Sequence, residues 1–316
     1  MRTDILTITL NPTVDYATAT DRVFPEHKLR CDEPHIDPGG GGINVARAIR
    51  LLGGQATALV AIGGATGAHL LQLLALEGVP TVAFQGPGET RQSFSVSDRS
   101  NDAQFRFVMP GPIWQQADLD RGLRSIDQAA GDGTLVVLSG SQPPGVAKEF
   151  PSILADHVTG RGARLIVDTS GPALFQLVRE PHESIFVLRM DSAEAAELAG
   201  RDLPAREDTA GFARELVDRG VAQNVIVARG ADGTVLSNAQ GSWHSVGAKV
   251  QVVSKVGAGD SFVGAFTLWS ARGAPSEDCL RAGVAAASAA VASEATRLCD
   301  PALTEDLMGK CSVTPL

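Results

Sequence analysis

Ile185-Phe186-Val187-Leu188-Arg189-Met190-Asp191-Ser192-Ala193-Glu194 reads as an apolar run that stops at charged residues and turns straight into a helix. Four apolar residues without a break are the pattern of a strand covered on both faces. Asp191, with Glu194 three positions on, fits a capping box in which each carboxylate takes a backbone N–H of the other. Working outward, the same unit recurs. Leu135-Val136-Val137-Leu138 ends at Ser139-Gly140-Ser141, Leu165-Ile166-Val167 ends at Asp168, and Val225-Ile226-Val227-Ala228 ends at Arg229-Gly230. Nearer the N-terminus, Ile5-Leu6-Thr7-Ile8-Thr9-Leu10 ends at Asn11-Pro12, and Ala58-Leu59-Val60-Ala61-Ile62 precedes a helical run around Leu70-Leu71-Gln72-Leu73-Leu74. Residues 276–311 are Ala-rich and helical. Strand and helix alternate, and the strands finish in small or polar residues. The expectation is an α/β fold with a mostly parallel central sheet, helices on both faces, and a functional rim at the carboxyl ends of the strands.

Two stretches interrupt the alternation. Residues 16–37 are polar with no helical period. After Thr81-Val82-Ala83-Phe84, Arg91-Gln92-Ser93-Phe94-Ser95-Val96 and Gln104-Phe105-Arg106-Phe107-Val108 alternate around Asn101-Asp102, a hairpin signature. Together they predict a small β lid, inserted at about 14–37 and 89–110 into one domain spanning 1–316, with apolar residues free to face a partner.

Composition sets outer bounds. The 316 residues are 44% hydrophobic and 20% charged, enough for a large core, but only 5% aromatic. Twenty-seven Lys and Arg stand against 36 Asp and Glu, a formal charge of −9, and no basic run appears. That disfavours nucleic acid as a partner. The four cysteines have no C-x-x-C spacing, the start lacks signal-peptide form, and no apolar run is long enough to span a membrane. A cytoplasmic protein with reduced thiols is expected.

Chemistry concentrates at Val256-Gly257-Ala258-Gly259-Asp260-Ser261, followed by the apolar run Phe262-Val263-Gly264-Ala265-Phe266. Small residues opening a helix leave the N–H groups of Gly257, Ala258 and Gly259 free to stabilise an anion. Asp260 beside them can accept a proton from a bound hydroxyl, the combination that phosphoryl transfer to an alcohol needs. The competing reading is an ordinary N-capping Asp. Asp37-Pro38-Gly39-Gly40-Gly41-Gly42-Ile43-Asn44 likewise opens a helix, with a backbone that a ligand can approach closely. It matches neither a P-loop nor a dinucleotide fingerprint. Asp15 lies just past the first strand and is by itself most simply a turn residue. Asp168, Asp191 and Glu194 sit at strand ends, where carboxylates can hold Mg²⁺ through water, although helix capping accounts for the last two equally well.

These pieces resemble the ribokinase/PfkB family of sugar kinases. Ser254-Lys255-Val256-Gly257-Ala258-Gly259-Asp260-Ser261 is similar to its closing signature and Gly39 to Asn44 to its opening one. Pro25-Glu26-x-Lys28-Leu29-Arg30-Cys31, Arg106-Phe107-Val108-Met109-Pro110-Gly111 and Thr296-Arg297-Leu298-Cys299 resemble the branch that phosphorylates fructose 6-phosphate. The resemblance covers nearly the whole chain. It implies a ribokinase-like three-layer αβα body with a β lid, a homodimer formed through that lid, and ATP with Mg²⁺. Asp260 would be the base for the C1 hydroxyl, and Gly257, Ala258 and Gly259 the anion hole. Asp15, Gly39, Gly40 and Asn44 would hold sugar hydroxyls, while Lys28, Arg30, Arg91 and Ser141 would contact the sugar or its 6-phosphate. Arg189, Ala228, Gly230, Gly233 and Lys255 would border the nucleotide.

Four departures from the family pattern stand out. Arg189-Met190-Asp191 replaces Lys-Pro-Asn, so a planar fork stands where a point charge bridges nucleotide phosphate. Asp191-x-x-Glu194 replaces the Asn-x-x-Glu metal motif, and Lys255 replaces a Thr. The loop near Ser293 and Ala295 lacks the Asn and Gly of the potassium-binding members, which weighs against K⁺ activation. The expected activity is ATP-dependent conversion of fructose 6-phosphate to fructose 1,6-bisphosphate. Tagatose-6-phosphate kinase and 1-phosphofructokinase are the enzyme alternatives. They usually carry Lys where this chain has Gly41, which weighs against them. A sugar-phosphate-binding protein with impaired ATP use is the non-enzyme alternative.

Overall fold

The computed structural model describes residues 4–101, 103–181, 184–294 and 297–316. In chain order the elements are β1 (Ile5–Thr9), β2 (Thr13–Thr20), β3 (His35–Gly39), α1 (Gly41–Leu51), β4 (Thr57–Ile62), α2 (Gly64–Leu76), β5 (Thr81–Gln85), β6 (Arg91–Asp98) and β7 (Ala103–Val108). There follow α3 (Gln116–Ala129), β8 (Leu135–Ser139), α4 (Phe150–Thr159), β9 (Arg164–Asp168), α5 (Gly171–Arg179), β10 (Ile185–Asp191), α6 (Ser192–Ala199), α7 (Arg206–Asp218) and β11 (Asn224–Ala228). The chain closes with β12 (Thr234–Asn238), β13 (Gly241–Val246), α8 (Ala258–Ala271), α9 (Ser276–Val291), α10 (Pro301–Met308) and β14 (Ser312–Pro315). Among the described residues no helix is long and apolar enough to cross a membrane.

The strands form two sheets. The larger has ten strands in the order β14-β13-β12-β11-β10-β9-β8-β1-β4-β5. Neighbours from β5 through β11 run parallel, and β12, β13 and β14 add antiparallel. Successive side chains of one strand enter two different cores. Val137, Ile166, Val187 and Ile226 pack on one face with α1, α2, α8 and α9, while Val136, Leu165, Leu188 and Val225 pack on the other with α3, α4, α5 and α7. That is why these strands read as unbroken apolar runs. Each such side chain contributes roughly 1.5–3 kcal/mol by leaving water. The three-layer αβα body expected from the sequence is the one observed.

Strand order reverses about β1, which lies between β4 and β8. The crevice beyond the carboxyl ends of β1 and β8 is therefore the place where such a sheet opens to a ligand. Thr9 closes β1 there, and its hydroxyl accepts the Ile43 N–H at 2.9 Å, fixing the start of α1 to that rim.

The smaller sheet has four strands in the order β3-β2-β6-β7. β2 runs antiparallel to β3 and parallel to β6, and β6 and β7 are the expected hairpin, although Asp102 of its turn lies outside the described residues. The stretch 16–37 is more regular than its sequence suggests, for it contains most of β2 and β3. Thr13-Val14-Asp15-Tyr16-Ala17-Thr18-Ala19-Thr20 is only half-buried along most of its length, so its polar residues mark a strand with an open face. Asp15 is accordingly not a turn residue; it sits inside β2, opposite Asp37 of β3 and Ser93 of β6.

Candidate active site

Gly257 caps α8 in the left-handed conformation, φ 78°, and an added Cβ would lie 2.6 Å from a Leu298 methyl. Both facts require glycine at the point where the chain turns into the helix. The first N–H groups of α8, around Ala258 and Gly259, have no carbonyl four residues back to bond. Asp260 stands in this first turn, and its position is set from across the interface with α1. There Gly264 lets the two helices close: a Cβ on it would meet the Ala48 Cβ at 2.9 Å and the Val45 carbonyl at 3.1 Å. The approach brings the Asn44 amide onto Asp260, with Nδ2 donating to Oδ2 at 2.9 Å.

Asp168 and Arg189 complete the surroundings. The Arg189 guanidinium donates to Asp168 Oδ1 at 2.8 Å and lies over Gly259, 3.1–3.3 Å from where a Cβ would be. Its Nε is buried without a hydrogen-bond partner. Ser139 at the end of β8 donates to Asp168 Oδ2 at 3.3 Å. Burial, reinforced by the Asp168 charge, pushes the Asp260 carboxyl up to about 6, against the opposing pull of Asn44, Arg189 and Arg47.

Asp260 and Gly257 form the floor of a cavity of about 310 Å³ whose opposite wall is the small sheet, with Asp15, Arg91, Ser93 and Arg106 on it and Gly40 and Asn44 at its edge. Asp15 is pushed above its ordinary value by burial, opposed by its hydrogen bond with Thr13 and by Arg91. The room it occupies depends on Gly39, where a Cβ would fall 2.0 Å from Asp15 Oδ2. Arg91 is anchored by donating to the Asn11 carbonyl at 3.3 Å, and burial lowers its proton affinity.

The structure thus brings together Asp260, Gly257, Asn44, Gly40, Asp15 and Arg91, with Arg189 behind them. Other expected residues lie elsewhere. Lys28 and Arg30 are exposed on the loop between β2 and β3, outside the cavity wall, and Ser141 is exposed with the Asn11 amide at 3.4 Å. Ala228, Gly230 and Gly233 flank the β11 end and its 3₁₀ turn Gly230–Asp232, and Lys255 is exposed beside Val256. Ala295 and Thr296 lie outside the described residues.

The three carboxylates expected near the metal are held by contacts within the protein. Asp191 Oδ1 accepts the Glu194 N–H and Glu194 Oε2 accepts the Asp191 N–H, both at 2.9 Å, so these two carboxylates close a capping box on α6. Both oxygens of Asp168 are engaged by Arg189 and Ser139. Among the described residues no three His, Cys, Asp or Glu side chains gather to hold a metal ion.

Sequence reasoning missed Thr13, Ser93 and Arg47 as members of this neighbourhood, and quoted Arg106 without a role. An arginine amid Ile43, Val45, Ala46, Ala48 and Ile49, three positions from Asn44, was the available signal for Arg47.

Comparison with known proteins identifies the family. A family model described as pfkB family carbohydrate kinase matches residues 4–303. The chain is 42% identical to the ATP-dependent 6-phosphofructokinase isozyme 2 of Escherichia coli, over 93% of this chain and 94% of that protein. It is 30% identical to a 1-phosphofructokinase of Bacillus subtilis, over 92% of this chain and 93% of that one. Among solved structures, phosphofructokinase-2 from Escherichia coli in complex with fructose-6-phosphate superimposes with a TM-score of 0.89 at 40% identity, covering 97% of this chain and 98% of that one.

Proposed function

The chain belongs to the pfkB family of carbohydrate kinases, and from that membership and the geometry of its site we propose that it is an ATP-dependent 6-phosphofructokinase. The substrate reading rests on likeness to the Escherichia coli isozyme 2 and on the cavity that joins Asp260 to a wall bearing Asp15, Arg91 and Arg106. The single observation that carries the chemistry is Asp260 in the first turn of α8, raised to about 6 beside unpaired helix N–H groups.

In this reading Asp15 and Asn44, with the Gly39-Gly40 backbone, hold sugar hydroxyls. Arg91 and Arg106 receive the 6-phosphate dianion, for which forked guanidinium donors are well suited. Lys28, Arg30 and Ser141 join them if the small sheet closes as a lid. Asp260 takes the proton of the C1 hydroxyl as its oxygen attacks the γ-phosphorus. The new O–P bond forms in line with the bond to the β-phosphate oxygen, which breaks to release ADP. Charge on the transferring group is met by the N–H groups of Gly257, Ala258 and Gly259 and by Arg189, whose guanidinium lies over Gly259. The nucleotide lies along Ala228, Gly230, Gly233 and Lys255. Mg²⁺ bound with ATP would supply neutralisation of the phosphate charge. Asp191 and Glu194, at the C-terminal end of β10 and the start of α6, would be the carboxylates placed to hold it through water.

Gly41 supports this sugar over its relatives. A Cβ there would lie 2.5 Å from Ser139 Oγ and 2.6 Å from the Gly140 nitrogen, so this rim has no room for the lysine of the alternative kinases. We further place the protein in the cytoplasm as one kinase unit over 1–316, paired through the exposed apolar residues of β7, and the departures near Ser293 weigh against K⁺ activation without removing K⁺ as a candidate activator.

The test is ADP release with Mg-ATP and fructose 6-phosphate, fructose 1-phosphate or tagatose 6-phosphate in turn. The highest kcat/KM is expected for fructose 6-phosphate. Release with none of them, while fructose 6-phosphate still binds, would replace the kinase by the sugar-phosphate-binding protein.

A further inference from the structure

Arg47 is buried on α1, and all five of its N–H groups have acceptors. Nε and Nη2 grip the two oxygens of Glu77, the C-cap of α2, at 2.6 and 2.7 Å. Nη2 also reaches Asp37 Oδ1 of β3 at 3.1 Å, and Nη1 reaches the Pro38 carbonyl and Asn44 Oδ1, both at 3.3 Å. We propose that Arg47 is a positioning residue for the base, holding the Asn44 amide in the one orientation that donates to Asp260.

An amide has an acceptor end and a donor end. With Arg47 donating to Oδ1, Nδ2 must point the other way, where Asp260 Oδ2 lies at 2.9 Å. Without Arg47 only the carboxylate orients the amide, and it loses that hold once Asp260 carries the substrate proton. The amide can then turn and present its oxygen, which would hinder return of the carboxyl to its ionised form. The seat is rigid because a fork bound on all sides has no spare rotamer. It also joins three elements, α1, the C-terminus of α2, and the β3 strand of the small sheet. The charges facing this chain are Glu77 and Asp37 about Arg47, His35 on Asp37 at 3.1 Å, and Asp168 and Arg189 about Asp260.

The inference rests on Asp260 being the base of the proposed reaction, and a double-mutant cycle tests it. Arg47→Met is expected to lower kcat at least tenfold with KM for ATP within twofold. In an Asn44→Ala background the same change is expected to add less than twofold. Equal losses in both backgrounds would show a merely structural arginine and overturn the proposal. If Arg47→Met does not fold, the cycle is run with Arg47→Lys, which keeps the charge but loses the fork, and the same non-additivity is expected. Carbon-13 NMR titration of the Asp260 carboxyl needs no turnover. Removing Arg47 takes away its direct pull on the carboxyl in either background, so a rise above about 6 that is larger with Asn44 present than with Ala in its place supports the chain of contacts, and an equal rise in both backgrounds overturns it even if the kinase reading itself has failed.

Discussion

At the scale of the residue, Asp260 shows how function and stability oppose each other. Its carboxyl holds a proton up to about 6 in the fold but only to the ordinary 3.8 in the unfolded chain. Native stability from this group is therefore full below pH about 4 and is lost as pH rises through about 6. Above that, keeping the group ionised costs about 2–3 kcal/mol by proton linkage. Asp260→Asn should remove that cost and raise the thermal midpoint at pH 7.5, while ADP release falls roughly 10²–10⁴-fold. A mutant that loses neither activity nor strain would show the carboxylate to be only a cap. In the wild type, kcat/KM should fall tenfold per pH unit below about pH 6. Gly39→Ala is a second expectation at this scale. The new methyl lands on Asp15, so KM for the sugar phosphate should rise at least tenfold while KM for ATP stays within twofold.

The elements separate what a linear pattern reveals from what it hides. The strands β8 through β11 are legible because each is buried on both faces, which writes burial directly into composition. The helix starts α6 and α8 are legible from small and acidic residues. What α6 does with them is not, because a capping carboxylate and a metal-bound one have the same spacing. Asp191 and Glu194 close a capping box on α6, so Asp191→Ala should cost about 1 kcal/mol in chemical denaturation. Its kcat at saturating Mg-ATP should fall less than threefold, and a fall beyond tenfold would return the residue to the metal. β2 and β3 escape a reading by period because their open faces admit Thr, Asp and His. Arg47 escapes as well, since Glu77 lies 30 positions along the chain and reaches it only after α2 has packed.

Over the whole molecule, the small sheet leaves apolar side chains uncovered along its outer strand: Phe107 is 51% and Val108 60% exposed. Isolated exposed apolar residues are ordinary, but a contiguous strand of them marks an interaction surface. Phe107→Asp should convert the proposed dimer to monomer in light scattering and raise KM for fructose 6-phosphate, since an unpaired lid is less firmly held over the cavity. A wild type that is monomeric throughout would refute the pairing. The strand order of the body also has a consequence for how the protein is made. From β8 onward every new strand is laid beside the one made just before it, and β4 and β5 extend the sheet the other way. Only β1 must wait, because its second neighbour, β8, begins at Leu135. At roughly 5–20 residues per second on the ribosome, the apolar edge of β1 stays bare for roughly ten seconds. A nascent chain stalled before Leu135 carries an open strand edge that invites aggregation and calls for chaperone cover; one stalled later exposes only the edge awaiting the next strand.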